Sequence, residues 1–185
     1  MIWLIIYIFI LLIVLFIAAF TAFYLFFLIY SSLMGSPFVP SKSSHYQDTI
    51  NHANLKKGQI FVDLGCGDGQ VVRYAVKNYQ VKGIGIDINP LLILLSKILT
   101  KLAKINNIEF KLANIYKFDL SKFDVVYFFL MPEMIKKLVP KLNNEINNNC
   151  LLISHGFKIP CWDKYLIKTI KRSIFSSYFY KKRYD

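Results

Sequence analysis

No charged side chain occurs before Lys42, and no acidic one before Asp48. All the charge therefore sits in the last ~145 residues, about the size at which a single domain buries a real core. Cysteine is scarce too. Cys66, Cys150 and Cys161 form no C-x-x-C pair and are odd in number, so neither a disulfide framework nor a zinc site is indicated. Acids are few: 11 Asp and Glu stand against 23 Lys and Arg, giving a net charge of +12. Such an excess suits nucleic acid, an anionic membrane or an acidic partner. The crowding of Ile, Lys, Asn, Phe and Tyr is equally what A+T-rich coding produces. Zinc-finger spacing, RNA-binding aromatic motifs and basic zippers are all missing, so nucleic acid is not an expected partner.

What is present first is a continuous apolar run over residues 2–30. A helix of ~20 apolar residues crosses a bilayer core. Trp3 and Tyr7 lie near one end and Tyr24 and Tyr30 near the other, where rings suit the headgroup level. A secretory signal is the competing reading, but it needs a basic n-region and a core of about 7–15 residues. The expectation is an uncleaved transmembrane helix over 1–33, followed by a linker and entry helix over 34–57. Everything basic lies after the helix, which predicts a single-pass membrane protein with its C-terminal domain cytoplasmic.

The remainder alternates. Strands are expected over 59–64, 81–87, 108–112, 123–130 and 150–154. Helices are expected from Ser43 or Ser44 to about residue 54, and over 68–78, 89–104 and 132–147. The tail over 164–182 reads as two closing strands around Ser173. Repeated strand–helix units predict an α/β fold: a mostly parallel seven-stranded sheet with helices on both faces, occupying 58–185.

The strongest motif runs Phe61-Val62-Asp63-Leu64-Gly65-Cys66-Gly67-Asp68-Gly69. It follows a strand and opens a helix, the context a glycine-rich cofactor loop requires. Dinucleotide loops read G-x-G-x-x-G, whereas the glycines here are at 65, 67 and 69, with an acid before the first. That spacing resembles the Rossmann-like class I methyltransferases, which bind S-adenosyl-L-methionine. Asp63 suits the ammonium and sulfonium charges of that cofactor. Asp87 ends the second strand, where an acid can accept both ribose hydroxyls; capping the next helix is its alternative role. Asn114 follows the third strand, and an amide there can meet the adenine amino group. Ile115 offers an apolar surface and a backbone N–H to the ring.

With these residues placed, the chain resembles the membrane-anchored protein-lysine methyltransferases that include the ATP-synthase c-subunit lysine N-methyltransferases, and their small bacterial relatives. The resemblance rests on the apolar leader, Pro37-Phe38-Val39-Pro40, the glycine loop and Asp87-Ile88-Asn89-Pro90. It continues through Leu130-Met131-Pro132-Glu133-Met134, Lys136-Lys137-Leu138-Val139-Pro140-Lys141-Leu142 and Phe157-Lys158-Ile159-Pro160-Cys161-Trp162. It implies methyl transfer to a lysine of a membrane-associated protein. Animal members tend to have an acid at the position of Asn114, Glu at Asp87 and Arg at Gly156. Residues after the fourth strand flank the methyl group in such enzymes, which nominates Leu130, Met131 and Glu133. His155 and Trp162 are candidate substrate contacts, against loop and packing roles. Tyr46 and Phe38 are candidates to close over the cofactor. The rival readings are a methyltransferase of a lipid, quinone or other membrane-resident small molecule, and a non-catalytic cofactor-binding protein.

Overall fold

The computed structural model describes residues 1–33 and 43–182. The Pro37–Pro40 linker and Phe38 lie outside the described residues. Contacts divide the chain into two units, Met1–Phe38 and Val39–Asp185.

The first unit contains helix α1 (Ile2–Leu33). It has no polar face, so nothing in its sequence directs one side toward a protein core. Residues Ile2–Phe26 are long and apolar enough to cross a membrane. Thr21 returns its hydroxyl to the Ile17 carbonyl (2.7 Å), which satisfies it without solvent.

The second unit is a seven-stranded sheet in the order β3-β2-β1-β4-β5-β7-β6. Its strands are β1 (Ile60–Leu64), β2 (Lys82–Asp87), β3 (Ile108–Leu112), β4 (Val125–Phe128), β5 (Leu151–Gly156), β6 (Leu166–Ile170) and β7 (Ser176–Tyr180). Strands β1 to β5 pair in parallel, and β7 inserts antiparallel between β5 and β6. The predicted mostly parallel sheet with helices on both faces is what forms.

Period-two alternation sorts the buried side chains onto the two faces. Val62, Leu64, Ile86, Val126, Phe128 and Leu152 pack with helix α5 (Pro132–Glu145) through Met134, Ile135, Leu138 and Leu142. Phe61, Val125, Tyr127 and Ile153 pack on the other face with α2 (Ser43–Asn51) and α3 (Gln70–Tyr79). Helix α4 (Pro90–Leu102) covers β2 and β3 on that face.

Several ends differ from expectation. Helix α2 stops at Asn51 rather than residue 54, and Asn54 takes φ 50. Helix α4 stops at Leu102, and Lys104 takes φ 52. Helix α3 begins at Gln70 because Gly69, its N-cap, is left-handed. Strand β4 is shorter than the run over 123–130 and covers Val125–Phe128; Asp124, just before it, accepts the Ile60 N–H with its side chain (2.7 Å). Strand β5 runs on to Gly156, because β7 pairs with it as far as that residue.

Glycine positions in β2 are set by packing. A Cβ at Gly85 would lie 2.5 Å from the Phe110 ring and 2.9 Å from the Cys66 sulfur. The phenyl ring on β3 thus fills the room that Gly85 leaves. Gly85→Ala should lower stability by about 1–3 kcal/mol, the usual cost of overpacking a filled core. Adding Phe110→Leu should recover part of that loss, read from denaturation midpoints of the four proteins of the double-mutant cycle.

Candidate active site

The site lies where chain direction reverses. Strands β1 and β4 are neighbours, and the connections leaving them run to opposite faces, the usual location of a ligand crevice beyond the strand ends. The loop after β1 is held by backbone. Gly65 and Cys66 both donate to the Ile86 carbonyl, at 2.8 and 2.9 Å. Gly65, Gly67 and Gly69 all have positive φ (79, 55 and 78), so the loop needs residues without a Cβ penalty at these positions. A Cβ at Gly65 would stand 3.1 Å from the Leu130 side chain, which brings the end of β4 against the cofactor loop.

Asp87 accepts the Gly67 N–H at 2.9 Å with one carboxylate oxygen and the Asn89 N–H at 2.8 Å with the other. Helix α4 is capped by Asn89, whose side chain accepts from Leu91 and Leu92. The cap therefore belongs to Asn89, and Asp87 is a tie between loop and strand. Each of its oxygens keeps a further lone pair for a ligand hydroxyl. Burial pushes its carboxyl pKa up, against the lowering effect of the Asn89, Gly67 and Ile88 amides.

Asp63 is more constrained. It is 2% exposed, and among the described residues no donor reaches its carboxylate. Burial, then the Asp87 charge, then the Asp68 charge push its pKa well above the usual carboxyl range. A buried carboxylate that feels the charges of two further acids suits a cation. S-adenosylmethionine carries two positive centres, an ammonium and a sulfonium, so the residues present fit it.

The remaining candidates divide. Asn114 uses its side-chain oxygen to accept the Tyr116 N–H (2.9 Å), so the atom that would meet an adenine amino group is already half engaged. Ile115 is buried in the core cluster beside α5, so its side chain serves packing. Met131 and Glu133 are exposed at the start of α5. Tyr46 is buried and packs edge-on against Tyr74 of α3 (5.7 Å).

His155 lies within β5 rather than in a loop after it. It is buried and bonded through Nδ1 to the Ser177 hydroxyl at 2.9 Å. Trp162 is a core residue: it is buried, donates from Nε1 to Asn143 (2.9 Å) and meets Tyr180 edge-on.

Sequence reasoning missed a small aromatic wall at the ends of β4 and β5. Phe129 meets His155 at 4.9 Å and Phe175 at 5.0 Å, and Phe157 meets Phe175 at 6.2 Å. Gly156 has φ +90, and its absent Cβ would lie 2.7 Å from the Phe129 ring. An Arg at that position would require a different backbone and a displaced Phe129.

Residues 63–165 match the ANTKMT methyltransferase domain. The chain belongs to that family. It is 31% identical over 134 residues to the protein-lysine N-methyltransferase of Saccharolobus islandicus, covering 69% of this chain and 80% of that one. It is 27% identical over 127 residues to the human ATP-synthase c-subunit lysine N-methyltransferase, covering 68% of this chain and 54% of that one. The chain thus spans only about half the length of the human relative. An RNA methyltransferase from Salinibacter ruber, solved with S-adenosyl-L-homocysteine, superimposes with a TM-score of 0.73 at 26% identity, covering 77% of this chain and 93% of that one. The chain is a methyltransferase that uses S-adenosylmethionine, in a family of protein-lysine methyltransferases.

The Asp63 environment sets a pH dependence. Its folded pKa is raised, so protonation favours the folded, cofactor-free protein. Stability is then greatest below the unfolded carboxyl pKa and is lost as pH rises through the folded one. Asp63→Asn should therefore raise the melting temperature of the cofactor-free protein at neutral pH. Cofactor affinity runs the other way. It should fall by up to about tenfold per pH unit as pH drops through the raised Asp63 pKa, and the Asn variant should bind weakly with a flatter profile. Calorimetry across pH checks both.

Proposed function

We propose that this chain is a membrane-anchored lysine N-methyltransferase acting on a membrane-associated protein. The observation that carries the reading is the combination, in one chain, of an S-adenosylmethionine site and a 32-residue helix with no polar face. The kinship with lysine methyltransferases, one of them named for the c-subunit of ATP synthase, supports the acceptor.

In this reading Gly65, Gly67 and Gly69 let the loop backbone approach the cofactor, and Asp63 neutralises its cationic end. Asp87 takes the ribose hydroxyls, while Asn114 and Ile115 border the adenine. The bound cofactor supplies an activated methyl group on sulfonium. The protein then has to align a neutral amine with that methyl, because displacement is in-line. Leu130, buried against the loop, sets the floor of the transfer position. Met131 and Glu133 border its mouth. The aromatic wall of Phe129, Phe157 and Phe175 accommodates the aliphatic stem of a lysine. An apolar surrounding lowers the amine pKa and so favours the nucleophilic form. Helix α1 holds the domain at the bilayer, cytoplasmic side, where effective concentration replaces intrinsic affinity for the acceptor.

Two measurements test this. Asp87→Ala should weaken S-adenosylmethionine binding by roughly 1.5–3 kcal/mol, since it removes charged hydrogen bonds to ligand and loop alike. Unchanged affinity would remove Asp87 from the site. Mass spectrometry of membrane proteins should show a methyl-lysine mark that disappears with Gly67→Arg. Unchanged protein methylation together with altered lipid or quinone methylation would assign the enzyme a small-molecule acceptor.

A further inference from the structure

Helix α4 is turned outward. Its inner face carries Ile93 together with two hydroxyl residues, Ser96 and Thr100, all buried. Its outer face carries Leu94, Leu95, Ile98 and Leu102, all exposed, Leu102 to 74%. At 3.6 residues per turn these four fall within an arc of about 100°. An apolar stripe of that width ordinarily faces a core. Here the core lies on the other side. Outside α1, these are four of the eight large apolar side chains that the described residues leave exposed. Leu112, ending the edge strand β3 beside α4, is another.

The charge on this helix has one sign. Helix α4 contains no acid, and Lys97 and Lys101 lie along one border of the stripe. Beyond its C-terminal end, Lys57, Lys77 and Lys104 line an open cleft of about 470 Å³. Leucines that can enter an acyl boundary, bordered by lysines that reach headgroups, are the makeup of a helix lying in a membrane interface.

We propose that the outer face of α4 docks on an anionic bilayer surface, with its leucines in the acyl boundary and its lysines among the headgroups. The proposal rests on the anchor reading of α1. Residues 34–42 are all that joins α1 to α2, and nine residues reach at most about 32 Å. A domain on so short a tether meets the bilayer constantly, so a weak docking face suffices. Helix α4 starts just after Asp87, so docking holds the cofactor side of the site beside the headgroups.

The test uses the full chain, with Cys161→Ser, reconstituted in phosphatidylcholine vesicles with and without phosphatidylserine. Cys66 and Cys150 are buried and escape labelling. An environment-sensitive fluorophore is placed at Ile98→Cys or, on the opposite face of the sheet, at Asn144→Cys. Brominated acyl chains should quench the label at 98 several-fold more than the label at 144. Iodide should quench in the reverse order, and phosphatidylserine should sharpen the contrast. Leu94→Gln with Leu102→Gln should abolish lipid quenching at 98.

A label at 98 open to iodide and untouched by brominated lipid overturns the proposal. A label shielded from both, with cross-links between copies, assigns the face to a second copy of the chain and also overturns it. Alkaline extraction reads the anchor separately. A chain that resists extraction without lipid quenching at 98 sinks the docking face alone. One that is extracted yet quenched sinks the anchor and keeps the docking face.

Discussion

Two carboxylates stand at neighbouring strand ends in a water-poor setting, and much of the site follows from how each is held. Asp87 is stabilised by amides from the glycine loop and from the start of α4, so it joins strand, loop and helix through one side chain. Asp63 has no such help among the described residues, and both carboxyl pKa values are pushed up. The resting protein therefore carries an electrostatic burden that a cationic ligand relieves. Destabilised groups of this kind mark functional sites, because stability given up at rest becomes binding selectivity. The dense β-sheet on either side, with Val62, Leu64 and Val126 fully buried, supplies the rigidity that keeps the two acids from relaxing apart.

The legible parts of this fold were those written in local chemistry. The glycine spacing, the acids near the ends of β1 and β2 and the alternation of apolar runs each carry a short-range signal, and each led to the right element. The illegible parts depended on distant partners. His155 falls inside β5 only because β7, about twenty residues later, pairs with Gly156. The chain breaks at Gln80 and Lys104 adopt left-handed backbone in residue types that seldom do, so no residue type announced them. Phe129 reads as the end of a core strand, and its role in an aromatic wall appears only when Phe175 is brought beside it. Trp162 looked equally fit for a channel or a core, and its bond to Asn143 decides for the core.

Apolar sequence served different ends in different places. In α1 it makes a helix with no polar face. In β4 it fills a strand buried on both faces. In α4 it covers the side away from the sheet, while hydroxyl residues go inward, one of them, Thr100, without a partner for its oxygen. Hydropathy alone does not separate these cases, because it counts apolar residues without asking which direction they face.

The Phe110 ring has a consequence for reading relatives of this chain. It sits 2.5 Å from where a Cβ would be at both Gly69 and Gly85. Two glycines flanking a cofactor site are thus required by a phenylalanine beneath it, whether or not a cofactor ever binds. A descendant that lost its chemistry would still be held to these glycines for as long as it kept the aromatic. Their survival would record ancestry of packing, whereas an acid such as Asp63, whose burial disfavours its charge, would testify that the descendant still holds a cation.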